Sequence, residues 1–420
     1  MLLDLCRSVH PTLIAGKCPW CGGKIRKGKA ISGPIRWIEE VSHSDPDRRI
    51  NAIDRLPTSG PAAEDAVAVA RRTIDDPHKR VRYEALLWLR RFAAELTPED
   101  VAKWQEALDR SPHDRSLRVI LFCYHDSPLA RQKCPDPKAR YEQMLWLVWN
   151  WPDVPTIIGY HLRPDPAEDQ HSYDRAACLW LQHVDASPSN LAILDNATMF
   201  FWHFEPDIAE RLAKSGQNLD PENSWWPTVL AGIYLDKMAK AKGDERRLFA
   251  AELVRHLEAE RRLWGGKHFH ELFELGWAAV ESGDIPKAQA CADELLGQTT
   301  DKMRLVRMRA VQQENLLLGE IALAQGNVAS ALVYLGEAGR AYSKEGFQGG
   351  CHRIALATKL LERGETEAVI QFIMDSASPM RLSPAEVEDC LQVVKDGGSL
   401  HFDPFNSTYP LYCGPDPFKS

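Results

Sequence analysis

Apolar side chains return at helical spacing after three similar polar starts early in the chain. Ile50, Ile53 and Leu56 follow Asp45-Pro46, and Val81, Leu86 and Leu89 follow Asp76-Pro77; a weaker copy runs from Ser111-Pro112 to Arg118. An Asp or Ser at such a start caps the first turn, and Pro at the first helical position gives up only an N–H that has no partner there. Each start therefore predicts a helix, and the starts lie 31 and 35 residues apart. From Tyr173 a longer period near 34 takes over: His171 to Leu181 opens a unit that closes at Pro188, and the next closes at Asp220-Pro221. Later, Leu275-Gly276 precedes Gly283-Asp284, Leu318-Gly319 precedes Gly326-Asn327, and Leu356-Ala357 precedes Gly364-Glu365. A Gly at the end of the first helix supplies the left-handed turn that folds the second back. These turns are 43 and 38 residues apart, so the units are irregular in length.

The early starts resemble HEAT-type repeats, whose Asp-Pro-x-x-Arg-Val opening stands here as Asp76 to Val81, with a plain helical bundle as the alternative. The later units resemble tetratricopeptide repeats. Ala197 and Ala209 precede Pro221 by 24 and 12, and Leu230-Ala231-Gly232-Ile233-Tyr234 matches the family's Leu-Gly-x-x-Tyr with Ala for Gly. Ala288 and Ala331 fall in second helices, Val369 replaces that Ala, and a basic insertion at Lys237 to Arg247 departs from the pattern. The expected fold class is all-α, an α-solenoid of antiparallel helix pairs. Its expected parts are a small Cys/His module (1–35), HEAT-like repeats (36–126), a connecting helix and loop around Tyr141 to Trp151 (127–172), tetratricopeptide-like repeats (173–385), and a last helix with a Pro-rich tail read as an extended strap (386–420).

The head carries the most specific chemistry. Cys6 and His10 are four apart, the spacing of one helical face, and Cys18-Pro-Trp-Cys21-Gly-Gly places two thiolates on one tight turn. Three sulfurs and a nitrogen form a closed tetrahedral set suited to structural Zn, with no open position for catalysis. The CPWCGG run resembles the knuckle of zinc-ribbon and rubredoxin-type modules over some thirty residues, without their second CxxC. Cys6 and His10 are therefore inferred to complete the set, with His43 as a possible substitute; a redox CxxC is the rival reading.

Charge separates the head from the rest. Seven bases against one acid put residues 1 to 38 at +6, and the chain totals −8, which leaves −14 for the remainder. A chain this acidic is a poor general nucleic-acid coat, because that binding depends on neutralising phosphates. With 44% apolar and 26% charged residues the composition is that of an ordinary folded protein. The longest uncharged apolar-leaning run, Ile321 to Gly336, is too short to cross a membrane. The start shows no secretory leader, and seven of the ten cysteines have no motif spacing; a cytoplasmic location with those seven reduced and mostly buried is expected.

Catalytic signatures are missing: neither Gly-Gly-Lys run has phosphate-loop spacing, and no GxSxG, HExxH or GxGxxG occurs. His268 and His270 are two apart and point away from one another on a helix. The expectation is a non-enzymatic scaffold or adaptor. The tetratricopeptide resemblance implies a protein or peptide partner bound along the first helices, by Trp202, Trp225, Thr228, Asp236, His270, Phe273, Trp277, Glu281, Gln313 and Glu320. Such a face suits a segment with apolar anchors and some basic character; alternatively, Trp225 and Trp277 only cap the core between repeats. Two other functions compete: a nucleic-acid-associated regulator using the basic head through Lys24, Arg26 and Lys27, and a solenoid enzyme of the prenyltransferase kind.

Overall fold

The computed structural model of the protein describes residues 16–17, 24–25, 40–60, 63–127, 137–155, 161–265, 269–297, 304–343, 355–376 and 383–397. These hold eighteen helices and one pair of two-residue strands, so the expected all-helical class stands. The chain divides into two compact units, Met1–Asn196 and Ala197–Ser420. None of the described helices is long and apolar enough to cross a membrane.

Unit 1 contains strands β1 (Gly16–Lys17) and β2 (Lys24–Ile25), paired antiparallel with Gly16 opposite Ile25 and Lys17 opposite Lys24. Helices α1 (Pro46–Asp54), α2 (Ala63–Thr73), α3 (Lys79–Ala94), α4 (Pro98–Arg110), α5 (Arg115–Asp126), α6 (Pro137–Asn150) and α7 (Pro166–Ala186) follow. Helices α1, α3 and α5, which follow the three polar starts, pack in succession, with α2 against α3 and α4 against α5. The fully buried Trp88 of α3 ties this helix to the turn that follows α1, its Nε1 donating to the Leu56 carbonyl at 2.9 Å.

Only the first start caps as the sequence reading expects, Asp45 accepting from the Asp47 N–H with Pro46 opening α1. At the second, α3 begins at Lys79; Asp76 accepts from the His78 N–H at 2.8 Å and from Arg49 of α1 at 2.9 Å. That carboxylate joins two helices instead of capping one. At the third, Asp114 caps α5 in place of Ser111. Helix α7 is broken at Asp169 (φ −154°, ψ 87°), whose carboxylate accepts from the Ser172 N–H, so its regular part starts where the sequence opens a unit.

Unit 2 begins within α8 (Leu191–Phe201) and continues through α9 (Pro206–Leu219), α10 (Trp225–Lys240), α11 (Gly243–Leu263), α12 (Phe269–Ser282), α13 (Ile285–Gly297), α14 (Arg304–Ala324), α15 (Val328–Ser343), α16 (Ala355–Leu361), α17 (Thr366–Ser376) and α18 (Pro384–Lys395). From α9 onward each helix packs on the next, and α12 on α14, α14 on α16 and α15 on α17 pack as second neighbours. A continuous apolar core runs from Ala231 to Val394. Three turns share one device. Gly283, Gly326 and Gly364 have φ of 89°, 81° and 86°, and each donates its N–H three residues back while the next residue donates five back. This pair of bonds closes a helix end on a left-handed glycine and returns the chain alongside itself.

Cys123 and Cys291 are free and buried, and burial pushes their thiols up to about 12 and about 11; Cys178 is free and exposed. Cys390 departs from the expected reduced state, being disulfide-bonded and buried.

Candidate functional site

The expected partner-binding residues belong to unit 2, where glycines set the approach of neighbouring layers. A Cβ on Gly232 of α10 would lie 2.2 Å from Cζ2 of Trp202. One on Gly276 of α12 would meet Leu317 Cδ2 of α14 at 2.4 Å, and one on Gly319 of α14 would meet Leu356 Cδ2 of α16 at 2.3 Å. A neighbouring side chain thus occupies the space each missing Cβ leaves, and α12 comes into contact with α14 and α14 with α16.

At the N-terminal end of this series, Trp202 stays half-buried and its Nε1 donates to Asp236 Oδ2 at 2.9 Å; the ring of His203 stacks on it, with Nδ1 3.5 Å from the same oxygen. Beside it, Glu210 accepts from Lys214, Lys237 and the Tyr234 hydroxyl. Burial pushes this carboxyl up, but its three donors prevail and hold it at about 2. Lys237 also pairs with Asp207, so the leading residue of the basic insertion is engaged with two carboxylates. The Tyr234 ring stacks on His256, and burial with Arg255 nearby lowers that imidazole to about 4. Arg255 can only donate, so the His256 Nε2 that it meets at 3.1 Å acts as the acceptor.

Further along, Glu281 of α12, Glu320 of α14 and Lys359 of α16 stand 39 residues apart in turn. Lys359 Nζ donates to Glu281 Oε1 at 2.6 Å and Glu320 Oε2 at 2.7 Å, and Arg246 Nε donates to Glu281 Oε2 at 2.6 Å. Burial raises the Glu281 carboxyl, but Lys359 and Arg246 outweigh it and hold the group below the usual carboxylate range. For Glu320 burial prevails over Lys359 and leaves the carboxyl above that range. Its Oε1 is buried with no hydrogen-bond partner among the described residues, as is Oε1 of Gln313.

The ten expected residues thus divide into groups. Trp202, Trp225 and Thr228 are half-exposed, with the Thr228 hydroxyl bonded to the Ser224 carbonyl and Glu260. Asp236, Phe273, Trp277, Gln313 and Glu320 are buried, Glu281 is half-buried with its side chain 7% exposed, and the carboxylates of Asp236, Glu281 and Glu320 bind within unit 2. His270 lies on α12, its side chain outside the described residues. Sequence reasoning missed Lys359, Arg246, His203 and Glu210. The equal spacing of Glu281, Glu320 and Lys359 was the available signal for Lys359.

Cys6, His10, Cys18 and Cys21 all lie outside the described residues. The β1–β2 pairing is described on either side of the six-residue connection that carries Cys18 and Cys21. His43, the possible substitute ligand, accepts from the Asp45 N–H at Nδ1 and contacts Arg48 at Nε2. Among the described residues no group of three or more His, Cys, Asp or Glu side chains is arranged to hold a metal ion.

No protein-family model matches the chain, and no curated protein matches it significantly.

Proposed function

We propose that unit 2 is a non-catalytic scaffold, a tetratricopeptide-like array that binds a segment of a partner protein along α10, α12, α14 and α16. The observation that carries this reading is the contact of α12 with α14 and of α14 with α16, which sets first helices side by side as one surface. The glycine-closed turns at 283, 326 and 364 support the same reading, because they are the hairpin joints such repeats require. Trp225 and Thr228 offer a half-exposed ring and hydroxyl at the start of α10.

The test is affinity capture with full-length wild type and a Trp225→Ala/Thr228→Ala variant, compared by mass spectrometry after circular dichroism has shown equal helicity. The expected result is selective loss of the same protein from the variant. An unchanged set of captured proteins would remove α10 from the binding surface.

The head is read as a structural Zn module held by Cys6, His10, Cys18 and Cys21. A short antiparallel ladder flanking a Cys-x-x-Cys connection is a backbone setting that suits a metal knuckle, and the soft donor set favours Zn. Bound there, the ion would supply folding energy and no chemistry. One zinc per chain is expected by atomic spectroscopy of the purified protein, and none in a Cys18→Ser/Cys21→Ser variant. Equal zinc in both would refute the ligand set.

A further inference from the structure

Unit 1 contains a feature that the scaffold reading does not use. A cleft of about 760 Å³ opens between the end of α2 and the start of α5, lined by Arg71, Arg72 and Asp75 on one side and His113, Asp114, Arg115 and Ser116 on the other. Three guanidinium groups and an imidazole face two carboxylates, and the carboxylates are unequal. Asp114 is saturated: Oδ1 accepts from the Ser116 hydroxyl and the Leu117 N–H, and Oδ2 accepts from Arg71. Asp75 is 67% exposed and approaches Arg115 only to 3.6 Å, outside hydrogen-bond reach.

The cations are therefore under-used. Arg71 donates through Nε to Ser116 and through Nη2 to Asp114, while its guanidinium lies over Trp104. Arg115 lies over the Trp151 ring at 5.0 Å and makes no hydrogen bond among the described residues. Among the described residues Arg72 donates only to the Ala68 carbonyl. The first two backbone N–H groups of α5, on Arg115 and Ser116, also have no acceptor among the described residues. Two guanidiniums with faces held on indoles, a third with spare donors and two unbonded N–H groups at the Asp114-capped start of α5 converge on one space. Oxygen-rich anions suit that arrangement, since Arg72 and Arg115 can each serve two oxygens beside the two unbonded N–H groups.

We propose that this cleft binds a small phosphate ester, with the phosphoryl group between Arg72, Arg115 and the first turn of α5. The volume is that of a small-molecule site, large enough for a mononucleotide. A bound phosphoryl group would displace the loosely held Asp75 from Arg115 and satisfy donors that are otherwise left to solvent.

Calorimetric titration of the full chain at low salt, with inorganic phosphate and with AMP as probes, tests the site. Saturable binding of at least one probe is expected, weakened about tenfold or more in Arg72→Gln/Arg115→Gln, whose altered side chains are both exposed. Arg91→Gln removes an equally charged group that pairs with Asp54 away from the cleft and should bind as wild type does. Heats without saturation for both probes, or equal affinity in the double variant, would overturn the proposal. Silence of both probes beside tight binding of a single-stranded oligonucleotide would overturn it in favour of a polymer.

Discussion

Gly216→Val is expected to destabilise the protein by about 3 kcal/mol, read as a lower urea midpoint at unchanged slope. Gly216 lies in α9, and a Cβ there would fall 2.4 to 2.6 Å from three atoms of the Trp226 indole. The ring is 1% exposed and rigid, so it has nowhere to go. Valine recovers only about 0.4 kcal/mol of the helix propensity that glycine gives up, well short of the overpacking cost. Gly297→Ala is the matched control, because no atom stands within 4 Å of its added carbon. A midpoint equal to wild type in the valine variant would mean that α9 and α10 do not approach as described.

Lys359→Met should cost about 3 kcal/mol at pH 7. Removing one member of a buried ion pair typically costs 3 to 5, and the lower end applies because Lys359 is 30% exposed. Glu320, with a 3% exposed side chain, would lose the cation it is hydrogen-bonded to, whereas Glu281 would keep Arg246. The pH dependence follows from the sign of the Glu320 shift. A carboxyl raised by folding binds its proton more tightly in the native state, so its contribution is most favourable below the unfolded value and is lost as pH rises through the folded one. Without the lysine that shift grows, so the deficit of the variant should be largest at neutral pH and shrink toward pH 5. Glu281, depressed in the wild type, works in the opposite sense, adding stability above its unfolded value that is lost as pH falls through the folded one. A Lys359→Met/Glu320→Gln double variant should recover part of the loss at pH 7, because the amide carries no charge to strand. Denaturation at pH 5 and 7 measures all of this, and a pH-independent deficit would reject the electrostatic account.

The parts of this fold legible in the sequence are those that one residue type decides by its own backbone chemistry. Gly283, Gly326 and Gly364 mark turns because a left-handed φ is inexpensive only for glycine. Contacts between helices were harder to read. Asp76-Pro77 has the form of a helix cap, yet its carboxylate reaches Arg49, a residue that helical spacing alone does not single out. Glu281 and Glu320 were assigned to a ligand-facing surface from their register, and register cannot distinguish a carboxylate turned to a ligand from one turned to Lys359. The arginine that completes the cluster, Arg246, sits in the basic insertion that broke the repeat pattern. Departure from the pattern was itself the clue. In unit 1 the cleft was invisible because Arg72 and Arg115 meet only after α2 and α5 have been brought together.

From α9 onward, the main helix-to-helix packing of unit 2 among the described residues runs to the next helix or to the one after it, and the Lys359–Glu281 bond from α16 to α12 reaches further. Such a topology asks for little loop closure, since no helix must wait for a distant stretch of chain before its apolar stripe is covered. Order can spread from whichever hairpin forms first, like a zip started at any tooth.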